Sequence, residues 1–290
     1  MGWVAGIAAL GIGIPSQAPV LAQVLFYSPQ PDATLIKAQS VQLASDAVRL
    51  AQFGRVAEGL NRARLAVQLD PTSADLWLIL GSLQLEHREY EASVPSLERA
   101  QQLNPQNANV LFTLGEALMR VKDYPRAITT LQAGVAIEAS DPNGFFQLGN
   151  AFLLQGDLES AKEQFLQAMD LNEQFWPAVN NLGLVAYEQG DVDKAMTSWQ
   201  AAIQLDDEVA EPRLALATAL FIQGKVAEAE AEGIKALQLD PSYGDVETLR
   251  INLWGSRLLQ DAQVFLQRPR VRDALFQARV TRIAQEEGGL

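Results

Sequence analysis

The sequence contains no cysteine among its 290 residues. This excludes structural disulfides, thiolate zinc sites, iron–sulfur clusters and a lipid carried by an N-terminal cysteine. Basic residues are also scarce, because 22 Lys and Arg stand against 35 Asp and Glu, which gives a net charge of −13. A general nucleic-acid binder needs clustered Lys and Arg to neutralise phosphates. The composition therefore disfavours nucleic acid as a partner.

The residue patterns of catalysis and metal binding are missing as well. The single histidine, His87, is predicted to lie in a turn, where a solvated side chain explains it. The sequence has no HExxH, GxSxG, Walker-type or GxGxxG motif, and the Gly11-Ile12-Gly13 stretch within the first 22 residues is not a phosphate loop. It also has no calcium loop with alternating oxygen ligands around a central glycine. We therefore predict no enzyme activity, no cofactor and no metal site.

The first 22 residues, MGWVAGIAALGIGIPSQAPVLA, differ in composition from the rest of the chain. Their apolar run from Trp3 to Ile14 is shorter than the roughly 20 residues that span a bilayer. Small or β-branched residues then lead to Ala22, immediately before Gln23, as at an export cleavage site. We predict a cleaved export signal, with an uncleaved N-terminal membrane anchor as the alternative.

A period of 34 residues organises most of the chain. A small residue recurs at this spacing, at Ala47, Gly81, Gly115, Gly149, Gly183 and Ala217. Sixteen residues after the small residue stands a large one, at Leu97, Leu131, Phe165 and Trp199. Gly233 departs from this rule in the last unit. Self-similarity at a fixed period indicates a repeat architecture, in which each unit packs on the next.

The pattern resembles the tetratricopeptide repeat (TPR), a helix–turn–helix unit of 34 residues. The residues that fill its signature places are Trp77, Gly81, Gly115, Gly149, Gly183 and Ala217. The resemblance implies an all-α, right-handed superhelical solenoid of about six units with C-terminal capping helices. The predicted units are residues 40–73, 74–107, 108–141, 142–175, 176–209 and 210–243. Gly156, Gly190 and Gly224 are expected to end first helices in the left-handed conformation.

Two segments flank the predicted units. Residues 23–39 are predicted to form a lead-in, and residues 244–290 to form capping helices and a basic tail. The helical period of apolar residues over 245–259 predicts one closing helix, and further helices are expected on both sides of Pro269. Three arginines surround this proline, at positions 268, 270 and 272. Three interpretations are left open for them: peripheral contact with anionic lipid, contact with an acidic partner, and capping of helix ends by solvated arginines.

In the TPR family the first helix of each unit lines a concave groove that holds a partner. By position, the resemblance implies a groove formed by Leu78, Ser82, Leu85, Phe112, Glu116, Met119, Phe146, Asn150, Leu153, Asn180, Leu184, Tyr187, Leu214, Thr218 and Phe221. This mixture suits an amphipathic helix or an extended apolar segment. Burial of some of these residues between helices is the alternative. We expect exposure in the groove at Phe112, Phe146, Asn150, Asn180 and Tyr187.

The resemblance implies a non-catalytic interaction scaffold or adaptor with a protein partner. Ala44 and Val48 stand where family members that bind chaperone tails have Lys and Asn, so no chaperone carboxylate clamp is expected. The cleavage site resembles those of exported cyanobacterial proteins. This favours the periplasm or thylakoid lumen and a role in assembling or maintaining a membrane-associated complex. A structural subunit of an envelope-biogenesis or secretion complex, or a regulatory subunit of an enzyme, remains an alternative.

Overall fold

The computed structural model describes residues 32–288 of the chain. The predicted export signal, residues 1–22, lies outside this range, as do residues 23–31 of the predicted lead-in. All regular structure in the described range is helical, with fifteen α-helices and one short 3-10 helix. This confirms the all-α solenoid predicted from the 34-residue period.

Six helix pairs follow one another along the chain. They are α1 (Ala33–Gln52) and α2 (Val56–Leu69), α3 (Ala74–Glu86) and α4 (Tyr90–Leu103), α5 (Ala108–Arg120) and α6 (Tyr124–Ile137), α7 (Pro142–Gln155) and α8 (Leu158–Leu171), α9 (Trp176–Glu188) and α10 (Val192–Leu205), and α11 (Ala210–Ile222) and α12 (Val226–Leu239). Helix α1 begins before the predicted first unit because Asp32 caps it, accepting a hydrogen bond from the Thr34 amide at 2.9 Å. Residues 33–39 of the predicted lead-in are therefore helical.

The recurring small residue lets the two helices of a unit approach each other closely. A Cβ atom added at Gly81 would lie 2.5 Å from the Leu97 side chain of the paired helix. The same distance separates a Cβ at Gly149 from the Phe165 ring. Because protein interiors are close-packed, the large residue of the second helix occupies the space that the glycine leaves empty.

The first helices end in left-handed residues, as expected. Gly156, Gly190 and Gly224 have φ angles of 88°, 91° and 78°. In the second and third units the equivalent residues are Arg88 and Lys122, with φ angles of 63° and 64°. A residue with a Cβ atom is strained in this region by about 1–2 kcal/mol. These two turns therefore hold a cationic side chain at a position where glycine would be more stable.

The array curves so that its first helices lie on the concave side. The first helices of successive units contact one another: α3 contacts α5, and α5 contacts α7. Each second helix instead contacts its own partner and the first helix of the following unit, as α4 contacts α3 and α5. The distance between units is thus shorter on the side of the first helices. Residues on the free face of these helices line a common groove.

The C-terminal region differs from its prediction. The single closing helix expected over residues 245–259 is wrong, because the chain turns at Leu253, which has a φ of 64°. Three helices follow the short 3-10 helix at Pro241–Gly244: α13 (Val246–Ile251), α14 (Ser256–Leu266) and α15 (Pro269–Gly288). Helix α15 packs against α12 and closes the end of the array, whereas α14 packs against α9 and α11.

Within residues 32–288, no helix combines the length and the apolar character that crossing a bilayer requires.

Candidate partner-binding groove

The open part of the concave surface lies on the first helices of the second, third and fourth units. Eight of the predicted groove residues there are partly exposed, and we call them the open groove: Leu78, Ser82, Leu85, Glu116, Met119, Phe146, Asn150 and Leu153. The open groove combines aliphatic and aromatic side chains with a hydroxyl, a carboxylate and an amide. Such a surface can bury apolar side chains of a ligand and bind its polar backbone.

Phe112 was predicted to be exposed in this groove, and that prediction is wrong. Its side chain is 5% exposed and packs between the third and fourth units. A Cβ atom added at Gly134 or Gly144 would lie 2.5 Å or 2.6 Å from the Phe112 ring. The two glycines open a space between α6 and α7, and the ring fills it. Phe112 is therefore part of the core between units.

The concave surface of the last two units is covered by the chain itself. The predicted groove residues buried there are Asn180, Leu184, Tyr187, Leu214 and Thr218, whereas Phe221 stays partly exposed. The expected exposure of Asn180 and Tyr187 is therefore wrong. Helices α13 and α14 fold back over these side chains, and we call residues 246–266 the groove insert.

Apolar contacts fix the groove insert between α9 and α11. Leu258, Ala262 and Phe265 are at most 1% exposed. The Phe265 ring packs against Phe221, with the ring centroids 5.6 Å apart. It also fills the space over Gly233, where a Cβ atom would lie 2.5 Å from it. Gly233 stands where the second to fifth units carry a large residue, and this departure was a signal in the sequence that another part of the chain packs there.

Hydrogen bonds from α9 fix the start and middle of α14. The Tyr187 hydroxyl donates to Asp261 Oδ2 at 2.6 Å. The Glu188 carboxylate accepts from the backbone amides of Leu258 at 3.1 Å and Arg257 at 3.4 Å. Because these amides belong to the first turn of α14, Glu188 acts as its N-terminal cap from a distant part of the chain. Burial raises the pKa of Tyr187 above its usual range, so the hydroxyl remains a donor.

A chain of polar side chains runs from the groove insert to the open groove. The Trp254 indole donates to the buried Glu211 carboxylate at 3.1 Å. Burial raises the pKa of Glu211 to about 7, and hydrogen bonds from Trp254 and Asn180 oppose that rise. Asn180 donates to Asn181 at 3.1 Å, and Asn181 donates to Asn150 at 2.8 Å. Asn150 therefore has a fixed orientation in the open groove.

Two arginines of the predicted basic tail bind the protein itself. Arg268 and Arg270 each lie 3.0 Å from a different oxygen of Glu230, whose side chain is 6% exposed. This pairing ties the link between α14 and α15 to α12. A buried carboxylate requires such partners, since an unpaired charge inside a protein is strongly destabilising. Part of the basic character of the tail is thereby neutralised within the fold.

The turn of the groove insert crosses the concave side, and two of the cavities that it borders are lined by residues of the open groove. The first, which we call the turn cavity, has a volume of about 410 Å³ and lies between this turn and helices α5 and α7. The second has a volume of about 520 Å³ and lies toward the second unit. Glu116, Arg120 and Ile251 line both cavities. The half-exposed side chain of Ile251 thus stands at their boundary.

His87, the only histidine of the sequence, lies in the exposed turn after α3. Its Nδ1 atom is 3.3 Å from a carboxylate oxygen of Glu89. Within the described part of the chain, no three His, Cys, Asp or Glu side chains come together in a way that could hold a metal ion. Among the described residues, the open groove therefore remains the candidate functional site, because it combines exposed apolar side chains with polar groups and adjoins two cavities.

Comparison of the sequence with known families agrees with the repeat. Two tetratricopeptide repeat family models match the chain: one over residues 84–144, and the other over residues 43–108, 146–210 and 180–244. No curated protein sequence matches it significantly.

Solved structures of low sequence identity share the fold. Pseudomonas aeruginosa PilF superposes with a TM-score of 0.59 at 21% identity, over 76% of this chain and 97% of PilF. A chain of the APC/C hetero-tetramer Cut9–Hcn1 gives a TM-score of 0.62 at 18% identity, over 79% of this chain and 45% of that one. A thermophilic TPR protein of Thermus thermophilus gives 0.52 at 28% identity, over 62% of this chain and 97% of that one.

Proposed function

Because this chain belongs to the tetratricopeptide repeat family, we propose that it is a non-catalytic interaction scaffold whose open groove holds a segment of a partner protein. Proteins with this repeat are in general interaction scaffolds rather than enzymes. The partner segment is apolar or amphipathic, because the open groove offers Leu85, Met119 and Phe146 beside the polar Asn150.

The observation that carries the proposal is the groove insert. On the last two units, the first-helix surface holds a helix and a turn through the buried contacts of Leu258 and Phe265 and the hydrogen bond of Asp261. The open groove uses the same places of the repeat on α3, α5 and α7, and no segment of the described chain fills it. A preformed surface of this kind loses little conformational entropy when a ligand binds.

The dimensions of the open groove limit the length of the segment. Packed helices lie about 8–10 Å apart, so three successive first helices present a surface roughly 25–30 Å long. An extended chain advances about 3.3 Å per residue, and about eight residues therefore cover this surface. We expect a short linear segment rather than a folded domain to be the ligand.

The proposal is tested by filling the groove without disturbing the core. Glu116 lies in the middle of the open groove with a side chain that is 42% exposed, so Glu116→Trp adds bulk where a ligand would lie. Glu163→Trp is the matched control, because Glu163 is exposed on the second helix α8. Partners are captured from the native cells with residues 23–290 as bait after crosslinking.

We expect Glu116→Trp to reduce recovery of the partner about tenfold, since a blocked groove costs the apolar contacts of several side chains. Glu163→Trp should recover the partner as the original sequence does. Equal recovery by both variants, each with an unchanged circular dichroism spectrum, would contradict binding in the open groove.

We further propose that the partner belongs to a membrane-associated complex in the periplasm or thylakoid lumen. The support for this location is the apolar run and the processing site within residues 1–22. N-terminal sequencing of the protein from its native cells should give Gln23 as the first residue. A protein that retains residues 1–22 would argue against cleavage, and a cytoplasmic location would contradict the proposed compartment.

A further inference from the structure

The groove insert closes one end of the open groove, and the residues around that end differ from the rest of the groove in charge and in hydrogen-bonding groups. Beyond its turn, α14 fills the concave side between α9 and α11. A partner segment that lies along α3, α5 and α7 must therefore end, or leave the surface, beside the turn at Ile251 and Leu253. The turn cavity lies at this closed end.

The apolar part of the turn cavity is suited to one large side chain. Met119 and Phe146 form one side, and Leu154 and Leu253 complete the lining. Its volume of about 410 Å³ is at the small end of the range for ligand cavities. Burial of a leucine or phenylalanine side chain in such a site contributes a large share of the affinity of a short peptide.

A buried acceptor in the same cavity calls for a donor from the ligand. The side-chain oxygen of Gln147 is buried, and no hydrogen bond reaches it from the described residues. An acceptor left without a partner is destabilising, so a ligand that supplies an N–H group gains affinity there. The amides within an α-helix are already used by the helix itself. An extended segment, whose amides are free, therefore fits the cavity better than a helix does.

More cations than carboxylates line the turn cavity, whereas the protein as a whole is acidic. The chain has a net charge of −13, yet three cations line this cavity: Arg120, Lys122 and Arg250. Of the two carboxylates in the lining, Glu116 pairs with Arg120 at 3.3 Å, and Glu211 accepts the hydrogen bond from Trp254. Lys122 has no carboxylate partner within the described part of the chain.

The position of Lys122 also indicates a specific role for its side chain. It occupies the left-handed place in the turn between α5 and α6, where four other units have glycine. Glycine would relieve the backbone strain of this residue. The lysine thus places a free ammonium group beside the cavity at a cost to local stability.

We propose that the turn cavity binds one large apolar side chain of an extended partner segment, and that Lys122, with Arg120, binds a carboxylate next to that side chain. This inference rests on the proposed function and specifies the ligand of its groove. The segment carries a leucine-like or aromatic residue beside an aspartate or glutamate. The apolar residue enters between Met119 and Phe146, and its backbone amide donates to Gln147.

The test uses peptides selected without any assumption about the natural partner. A phage-displayed library of random dodecapeptides is selected on the 23–290 protein, and the enriched peptides are synthesised for affinity measurements by fluorescence anisotropy. Lys122→Gly removes the ammonium group at a position where glycine fits the backbone, so the fold is retained. Arg88→Gly is the matched control, because Arg88 occupies the same place one unit earlier and lines the other cavity.

We expect the enriched peptides to share an apolar residue beside an acidic one. Lys122→Gly should weaken their binding about tenfold, the effect of losing one charged hydrogen bond, whereas Arg88→Gly should weaken it less than twofold. Replacing the acidic residue of the peptide by its amide should reduce the difference between the original protein and Lys122→Gly to less than twofold.

Two other results would overturn the inference. Peptides that Glu116→Trp blocks but Lys122→Gly leaves unaffected would refute the carboxylate site and leave the open groove standing as a binding surface. Peptides that neither variant affects would refute both the turn cavity and the proposed groove, and so would a selection that enriches no peptide.

Discussion

The ring of Phe265 in α14 lies over Gly233 in α12, so close that a Cβ atom on Gly233 would be 2.5 Å from it. In the second to fifth units the second helix supplies its own large side chain against the recurring glycine, as the Trp199 ring packs over Gly183. The sixth unit instead has Ala217 and Gly233 and receives the aromatic ring from residues that follow the repeats. The groove insert is therefore built into the core of the last unit.

This arrangement predicts that Phe265 and Gly233 are energetically coupled. Phe265→Ala should lower the free energy of unfolding by about 3–5 kcal/mol, because it removes buried apolar surface and leaves a cavity. Gly233→Leu should also destabilise, by about 1–3 kcal/mol, because the new side chain clashes with the ring. The double variant should be more stable than the sum of the two losses implies, since leucine fills the cavity.

Urea denaturation of the four proteins, followed by circular dichroism, measures this coupling. Losses that add to within about 0.5 kcal/mol would mean that the two residues do not pack against each other.

The hydroxyl of Tyr187 is predicted to hold α14 against α9. Tyr187→Phe removes the donor to Asp261, and a hydrogen bond to a charged group contributes about 1.5–3 kcal/mol. Hydrogen exchange should therefore accelerate in the amides of α14 and remain unchanged in α5 and α6. Tyr90→Phe is the control, because Tyr90 lies far along the array in α4. Equal exchange in α14 of Tyr187→Phe and the original protein would show that this bond is not needed.

The buried Glu211 predicts a dependence of stability on pH. Its pKa is about 7 in the fold against 4.5 for an unperturbed carboxyl, so the folded state binds more protons than the unfolded state between these values. Stability should therefore be greatest below pH 4.5 with respect to this group, and should fall as the pH rises through 7. Glu211→Gln should remove this fall and stabilise the protein by about 3 kcal/mol at pH 8, with little effect at pH 4.

Chemical denaturation at several pH values measures this effect, with Glu163→Gln as an exposed control. A difference between Glu211→Gln and the original protein that stays constant from pH 4 to pH 8 would refute the role of Glu211 ionisation.

Replacing one of the glycines that recur every 34 residues by alanine should lower the stability of the protein, although Gly→Ala in a helix usually raises it. At an exposed position in a helix, Gly→Ala stabilises by up to about 1 kcal/mol. At Gly149 the added Cβ atom would lie 2.5 Å from the rigid ring of Phe165, so Gly149→Ala should destabilise by about 1–3 kcal/mol. A melting temperature equal to or above that of the original protein would show that the paired helices can separate at no cost.

The helix pairs were predictable because each 34-residue unit carries its own local signals. The left-handed glycines at 156, 190 and 224 end first helices, and the small residue of each unit marks where its two helices meet. These features depend on residues within one unit or its neighbour. Contacts of this kind recur in every unit, so they can be predicted from the 34-residue period of the sequence.

The position of the groove insert was not predictable in the same way. The apolar period after residue 245 indicated a helix, but a helical period does not say which surface the helix covers. The left-handed residue of the turn, Leu253, is neither glycine nor proline, and the only glycine within the predicted helix that follows it is Gly255, the N-cap of α14. As a consequence, Asn180 and Tyr187 were expected in a groove that residues of α13 and α14 cover.

The groove insert also has a consequence for the order in which the protein acquires its structure during synthesis. Tyr187 and Glu188 bond to residues 69 to 74 positions later in the chain, whereas neighbouring repeats contact each other over short sequence distances. The first four units can therefore form as they leave the ribosome, while the last two wait several seconds at usual elongation rates for α14. During that interval the nascent chain exposes an apolar surface, formed by Leu184, Tyr187 and Leu214, that is buried in the complete protein.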